Sequence, residues 1–271
     1  MDTRPIGIFD SGLGGLSAAR VLEKVLPDED IVYFGDNRNV PYGTRTKENI
    51  TELACAGVEF LCGFDCKAII IACGTVCANA MDALKARFPL PIFGVIDAPC
   101  RQAAEQTKTK RIAVIATEAS VRSGAFARTL NALDPAAEVL CKPCQSFVEM
   151  VESGHYAADD PVVQKAVAEE LAPVKAWKPD QMLLACTHFP LLSEPIGNEM
   201  GPETALVSVS AAAVEDMKQV LERDGLLNPA GNGGRKWFTS GSTADFAKYA
   251  GVFLGHAVTA QQHICGEGER A

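Results

Sequence analysis

Short apolar runs alternate with helical patterns along almost the whole chain, and no other feature restricts its fold so strongly. The runs are Arg4–Phe9, Asp30–Gly35, Lys67–Cys73, Pro91–Asp97, Arg111–Thr117, Ala137–Lys142, Gln181–Cys186, Ala205–Ser210 and Arg235–Ser240. Helical patterns such as Thr46–Phe64, Ala98–Thr107, Pro161–Ala176 and Ala211–Asp224 lie between them. Strands separated by helices of this length form parallel βαβ units, whose right-handed crossovers cover both faces of a sheet. The expected class is α/β.

One sheet could hold all of these strands, but an internal echo argues for two. Ile69-Ile70-Ile71-Ala72-Cys73-Gly74-Thr75 and Met182-Leu183-Leu184-Ala185-Cys186-Thr187-His188 are near copies. Each is a buried-strand pattern that delivers a Cys, then a Thr, where the strand ends. Each half also places a polar turn after an earlier strand, Asp10-Ser11-Gly12 in the first and Thr117-Glu118-Ala119-Ser120 in the second. This order predicts two similar parallel-sheet half-domains facing each other across an active-site cleft. The expected domains are residues 1–97 plus 210–271, and residues 98–209. Ligands of open α/β sheets bind at the carboxyl ends of the strands, where both Cys residues fall.

Composition narrows the partners. Of 271 residues 48% are hydrophobic, enough for a sizeable core, and the net charge is -9. Nucleic acid and anionic membranes both require a basic face, so neither is an expected partner. The stretch Met1–Phe9 lacks the pattern of a signal peptide, and no apolar run reaches the length of a membrane span. The expected location is the cytoplasm, where the ten cysteines would remain reduced.

A Cys between a strand and a helix lies near backbone N–H groups and a positive helix terminus, which lower a thiol's pKa. A thiolate there can act as nucleophile or as base. One nucleophile suffices for covalent catalysis, so a matched pair suits a different task. It fits removal of a proton from one face of a carbon and return of another on the opposite face, which is racemisation or epimerisation. The plainer reading is two small buried residues; the matching contexts weigh against it.

Other residues fill in the pattern. In Phe9-Asp10-Ser11-Gly12-Leu13-Gly14-Gly15-Leu16 a strand runs through a tight turn into a helix, presenting N–H groups and a carboxylate. It is not a dinucleotide fingerprint, because Ser17 stands where the third glycine belongs. His188 could hold Cys186 as thiolate or shuttle its proton, and Asp10 could do the same near Cys73. His155, His256 and His263 have no such context. Cys141 and Cys144 have C-x-x-C spacing and Cys62 and Cys66 an i, i+4 spacing, but nothing joins the pairs into a zinc site, and packing is the expected role. Cys55, Cys77, Cys100 and Cys265 are expected to be structural.

From end to end the chain resembles the cofactor-independent glutamate racemases of the aspartate/glutamate racemase superfamily. The residues that carry the resemblance are Ile6-Gly7-Ile8-Phe9-Asp10-Ser11-Gly12, Phe34-Gly35-Asp36, Val40-Pro41-Tyr42-Gly43, Cys73-x-Thr75, Val121-Arg122-Ser123 and Cys186-Thr187-His188-Phe189-Pro190-Leu191-Leu192. The resemblance implies Cys73 and Cys186 as the two bases, assisted by Asp10 and His188. It implies contacts to the amino acid from Ser11, Pro41, Tyr42, Gly43, Gly74, Thr75, Thr117, Ser120 and Thr187. It further implies no cofactor and no metal, the homodimer that is frequent in the family, and a product, D-glutamate, that enters bacterial peptidoglycan.

The chain departs from that pattern at three places. Gly74 stands where the family usually has Asn, which removes a donor pair; losing a partner to a charged group costs about 1.5–3 kcal/mol. Val209-Ser210-Ala211 replaces Asp-Ser-Ala, and Glu149 replaces Pro. A Glu149 facing the substrate would repel it, whereas one on a helix surface would not. Two alternatives therefore stand beside glutamate racemisation: a racemase for another amino acid, and a weakly active homologue that binds an amino acid or a protein.

Overall fold

The computed structural model describes residues 2–265; residues 1 and 266–271, the outer ends of the expected first domain, lie outside the described residues. The chain divides into two units, Met1–Val95 with Ala213–Ala271, and Ile96–Ala212.

The first unit begins with β1 (Ile6–Asp10), α1 (Leu16–Val25) and β2 (Ile31–Gly35). Two 3-10 turns, Asn37–Asn39 and Tyr42–Thr44, lead into α2 (Lys47–Cys62), followed by β3 (Ala68–Ile71), α3 (Gly74–Arg87) and β4 (Ile92–Gly94). The second unit runs α4 (Asp97–Gln106), β5 (Arg111–Ala116), α5 (Glu118–Ser123), α6 (Ala125–Leu133), β6 (Glu138–Pro143), α7 (Gln145–Glu152) and α8 (Pro161–Trp177). It continues through β7 (Gln181–Ala185), a 3-10 turn at Phe189–Leu192, α9 (Ser193–Met200) and β8 (Ala205–Ser208). Helix α10 (Val209–Arg223) carries the chain back to the first unit, which ends with β9 (Arg235–Thr239), α11 (Thr243–Leu254) and β10 (Gln261–Gln262).

Both sheets are built from parallel pairs. Their orders are β10-β9-β2-β1-β3-β4 and β6-β5-β7-β8. In each, the chain leaves a central strand toward one side and then returns to pair on the other. The first sheet therefore reverses direction between β1 and β3, and the second between β5 and β7. Such a reversal opens a crevice at the carboxyl ends of the two strands, the place where doubly wound folds bind ligands. The same order in both units is the structural form of the sequence echo.

Burial on both faces explains why these strands read as unbroken apolar runs. Every residue of β1, β2, β3 and β7 is buried. Phe9, Phe34, Ile69, Ile71, Val58 and Leu61 belong to one buried hydrophobic cluster of the first unit. Helices α2, α8 and α11 start at side-chain caps: Thr46 accepts from Asn49 N, Asp160 from Val162 N ahead of Pro161, and Ser242 from Asp245 N.

Several boundaries differ from expectation. The run Pro91–Asp97 contributes only β4, because Asp97 opens α4, where its charge complements the helix terminus. Strand β8 stops at Ser208 because Val209 already starts α10. The short edge strand β10 had no apolar run to announce it, since both of its residues are exposed glutamines.

At the amino end of the first sheet, Lys67 and Glu29 form a buried ion pair. Their Nζ–Oε2 distance is 2.6 Å, with side-chain exposures of 0% and 2%. Lys67 Nζ also donates to the carbonyls of Asp2 and Leu226, each at 2.8 Å. Three distant segments thus close on one ammonium. All ten cysteines are free, and no described helix is long and apolar enough to cross a membrane.

Candidate active site

In the first unit, the crevice between β1 and β3 gathers Asp10, Ser11, Cys73, Gly74 and Thr75. Cys73 occupies the N-cap position of α3 in an extended conformation, so its side chain stands where the helix begins. Ser11 Oγ lies 3.0 Å from Cys73 Sγ. Asp10 is buried at the end of β1, and its Oδ2 accepts the backbone N–H of Gly15 at 2.7 Å. That turn needs glycine for space: a Cβ on Gly15 would sit 2.7 Å from Asp10 Cβ and 3.0 Å from Ala72 Cβ. Tyr33 braces the same turn by donating to the Gly12 carbonyl at 2.9 Å.

Contrary to expectation, the helix terminus does not leave the Cys73 pKa lowered. Burial pushes this thiol up to about 11, and the Asp10 carboxylate adds to the rise. The Ser11 hydroxyl and the N–H groups of Val76 and Ser11 pull the other way but do not overcome burial. A thiol only 7% exposed loses more solvation than a helix terminus restores.

Gly74 and Thr75 form the first turn of α3 and are partly exposed; the Thr75 carbonyl accepts from Asn79 Nδ2 at 2.8 Å. The turn at Tyr42–Thr44 packs against α3, and Tyr42 belongs to the same buried cluster as Cys73. Pro41 follows a cis peptide bond. The Tyr42 hydroxyl donates to Asp36 Oδ2 at 2.6 Å, so what Pro41, Tyr42 and Gly43 can offer a ligand is chiefly backbone.

In the second unit, the crevice between β5 and β7 gathers Thr117, Ser120, Cys186, Thr187 and His188. Thr117 caps α5: its Oγ1 accepts from Ser120 N at 3.3 Å and donates to Ser120 Oγ at 3.0 Å. Cys186 follows β7 directly. What comes next is not an α-helix, as expected, but a turn closed by Phe189 N to Cys186 O at 3.1 Å and then a 3-10 segment containing Pro190.

His188 Nδ1 lies 3.8 Å from Cys186 Sγ, and its Nε2 lies 3.3 Å from Glu152 Oε1. Burial alone would lower the imidazole pKa. The contacts with Cys186 and Glu152 outweigh it and raise the value to about 10. His188 is therefore an imidazolium at neutral pH, with both ring nitrogens donating. The same contact holds the Glu152 carboxyl below its usual range.

Glu152 is the residue that sequence reasoning missed. It sits at the carboxyl end of α7, where a negative charge is disfavoured by the helix dipole. That misplaced charge was the available signal. Ser11 was expected to touch the substrate, not to bond the thiol. Glu149 is exposed on α7, and Val209 is buried at the start of α10. Among the described residues, no group of three or more His, Cys, Asp or Glu side chains is arranged to hold a metal ion. Cys62 and Cys66 belong to one unit, Cys141 and Cys144 to the other.

Fold and site together define a doubly wound α/β protein that repeats one arrangement, a thiol with its own titratable partner at a strand-order reversal. A family model described as Asp/Glu/Hydantoin racemase matches residues 16–217. The glutamate racemase of Lactococcus lactis subsp. lactis (strain IL1403) is 42% identical over 221 residues, covering 82% of this chain and 80% of its own. Among solved structures, a glutamate racemase from Bacillus anthracis superposes with a TM-score of 0.89 at 32% identity, covering 97% of this chain and 98% of that one. The glutamate racemase of Francisella tularensis subsp. tularensis SCHU S4, solved in complex with D-glutamate, gives 0.86 at 32% identity with the same coverage. The chain belongs to the Asp/Glu/Hydantoin racemase family, and its reaction class is the isomerisation of an amino acid.

Proposed function

We propose that this protein interconverts L- and D-glutamate, with Cys73 and Cys186 as bases on opposite faces of the α-carbon. The observation that carries the reading is the repeated arrangement. Each sheet reverses at a crevice that ends in Cys, and each Cys has a hydroxyl, carboxylate or imidazolium beside it. Relatives that are glutamate racemases, one of them solved with D-glutamate, support glutamate as the substrate.

In the reaction one thiolate takes the α-proton and becomes a thiol. The electron pair left on carbon delocalises into the carboxylate, and the opposite thiol returns its proton to the other face. After turnover, thiol and thiolate have exchanged sides, so the reverse reaction uses the same groups. An α-proton is far less acidic than a thiol, so the developing charge needs donors. The first-turn N–H groups of α3 and the hydroxyls of Thr75, Thr117 and Thr187 are suited to that task. His188 can return a proton to Cys186 or hold its thiolate. Asp10, which already opposes ionisation of Cys73, can accept a proton from it. The reading extends to a homodimer working in the cytoplasm and providing D-glutamate for peptidoglycan.

Gly74, beside Cys73 at the start of α3, favours one second reading, in which the same chemistry serves another amino acid. NMR of the purified protein in D₂O with each amino acid separates the two. Loss of the α-proton signal from glutamate, with appearance of the opposite enantiomer, is the expected result. Exchange with a different amino acid alone would transfer the activity to that substrate, and no exchange at all would refute the racemase reading.

A further inference from the structure

The turn after β9, which none of the sequence motifs includes, holds the loop that carries Pro41, Tyr42 and Gly43. Asp36, immediately after β2, is 5% exposed. Its Oδ1 accepts from Ser240 Oγ at 2.6 Å and its Oδ2 from Tyr42 OH at 2.6 Å. Asn39 Nδ2 reaches both oxygens at 3.0 Å. Ser240, 2% exposed, works in both directions, because its Oγ also accepts from the backbone N–H of Arg38 at 2.9 Å. Its own N–H donates to the Gly35 carbonyl at 3.0 Å.

The neighbours of Ser240 reinforce the contact. Thr239, paired in register with Gly35, donates its hydroxyl to Asn37 Oδ1 at 2.9 Å. Gly241 approaches so closely that a Cβ there would lie 2.9 Å from Asn37 Cβ. Two consecutive residues of one strand end thus grip the start of a loop some two hundred positions earlier in the chain.

We propose that Ser240 is a positioning residue for the amino-acid site. It fixes the Asp36 carboxylate, which fixes the Tyr42 hydroxyl and through it the backbone of Pro41–Gly43. The proposal rests on the reading that this backbone contacts the substrate. Ser240→Ala would leave a buried carboxylate short of one donor and the Arg38 N–H short of its acceptor. Loss of such charge-assisted bonds weakens an interaction by about tenfold or more.

The test compares Ser240→Ala with Thr204→Ala. Thr204 is buried, donates its hydroxyl to the Pro179 carbonyl at 2.8 Å and its N–H to the Gly201 carbonyl, neither of them a site residue, so it controls for a general loss of stability. Hydrogen exchange followed by mass spectrometry should show the amides of Asn39 and Arg45, which bond within the loop, exchanging about tenfold faster in Ser240→Ala. KM for glutamate should rise by a similar factor with kcat little changed, and Thr204→Ala should do neither.

Unchanged loop exchange would overturn the proposal. So would faster exchange with an unaltered KM, or an equal KM rise in Thr204→Ala. Should Ser240→Ala not fold, Asp36→Asn carries the same expectations. If the unmodified protein fails to turn over glutamate, the proposed function falls, while loop exchange still decides whether Ser240 holds the loop.

Discussion

Cys73 and Cys186 are the same side chain in opposite electrostatic settings. Cys73 has a carboxylate and a hydroxyl for neighbours, whereas Cys186 has an imidazolium backed by Glu152. In the proposed reaction the carboxylate beside Cys73 opposes its ionisation, while the imidazolium beside Cys186 is placed to donate a proton to it. The His188 charge follows from its contacts. Its folded pKa is raised, so the stability it contributes is complete below about 6.5 and is lost as pH rises through about 10. Glu152→Gln removes one of the two supports. The imidazole midpoint, followed by NMR, should then fall by about one unit or more, and this stability should be lost at correspondingly lower pH. A midpoint still at about 10 would show that Glu152 does not hold the charge.

The positions of Cys73, Cys186, Asp10 and His188 at strand ends were legible because a buried strand and the polar residue that ends it are local in sequence. Glu152 and Ser240 were not, because their partners come from other elements. No spacing in the chain reveals that Ser240 reaches Asp36.

Among the elements, the central strands were the plainest to read. Burial on both faces leaves runs such as Ala68-Ile69-Ile70-Ile71 with no polar interruption. Helix starts were less legible, since Asp97 and Val209 extend an apolar run while already beginning α4 and α10. The break between α5 and α6 depends on one residue, Gly124, at φ 66°. Lys67, next to the apolar run of β3, is buried because Glu29 and two carbonyls receive it. Lys67→Met should therefore destabilise the protein by about 3–5 kcal/mol in urea unfolding, since it strands the Glu29 charge. Adding Glu29→Leu should recover most of that loss. A single-variant loss below about 1 kcal/mol would contradict the account of this pair.

At the scale of the molecule, the sequence echo corresponds to two sheets that share one strand order around their reversals, β2-β1-β3-β4 and β6-β5-β7-β8. The proposed two-base chemistry rests on that repetition, because a fold that presents a thiol twice supplies the two bases the reading requires. The most direct test removes the thiols one at a time, as Cys73→Ser and Cys186→Ser, and follows each glutamate enantiomer in D₂O. Racemisation should fall by about a hundredfold or more in both variants. Each variant should still exchange the α-proton of one enantiomer, the one facing its remaining thiol, and the two variants should differ in which. Near-normal racemisation by either variant, or exchange of the same enantiomer by both, would contradict the two-base account.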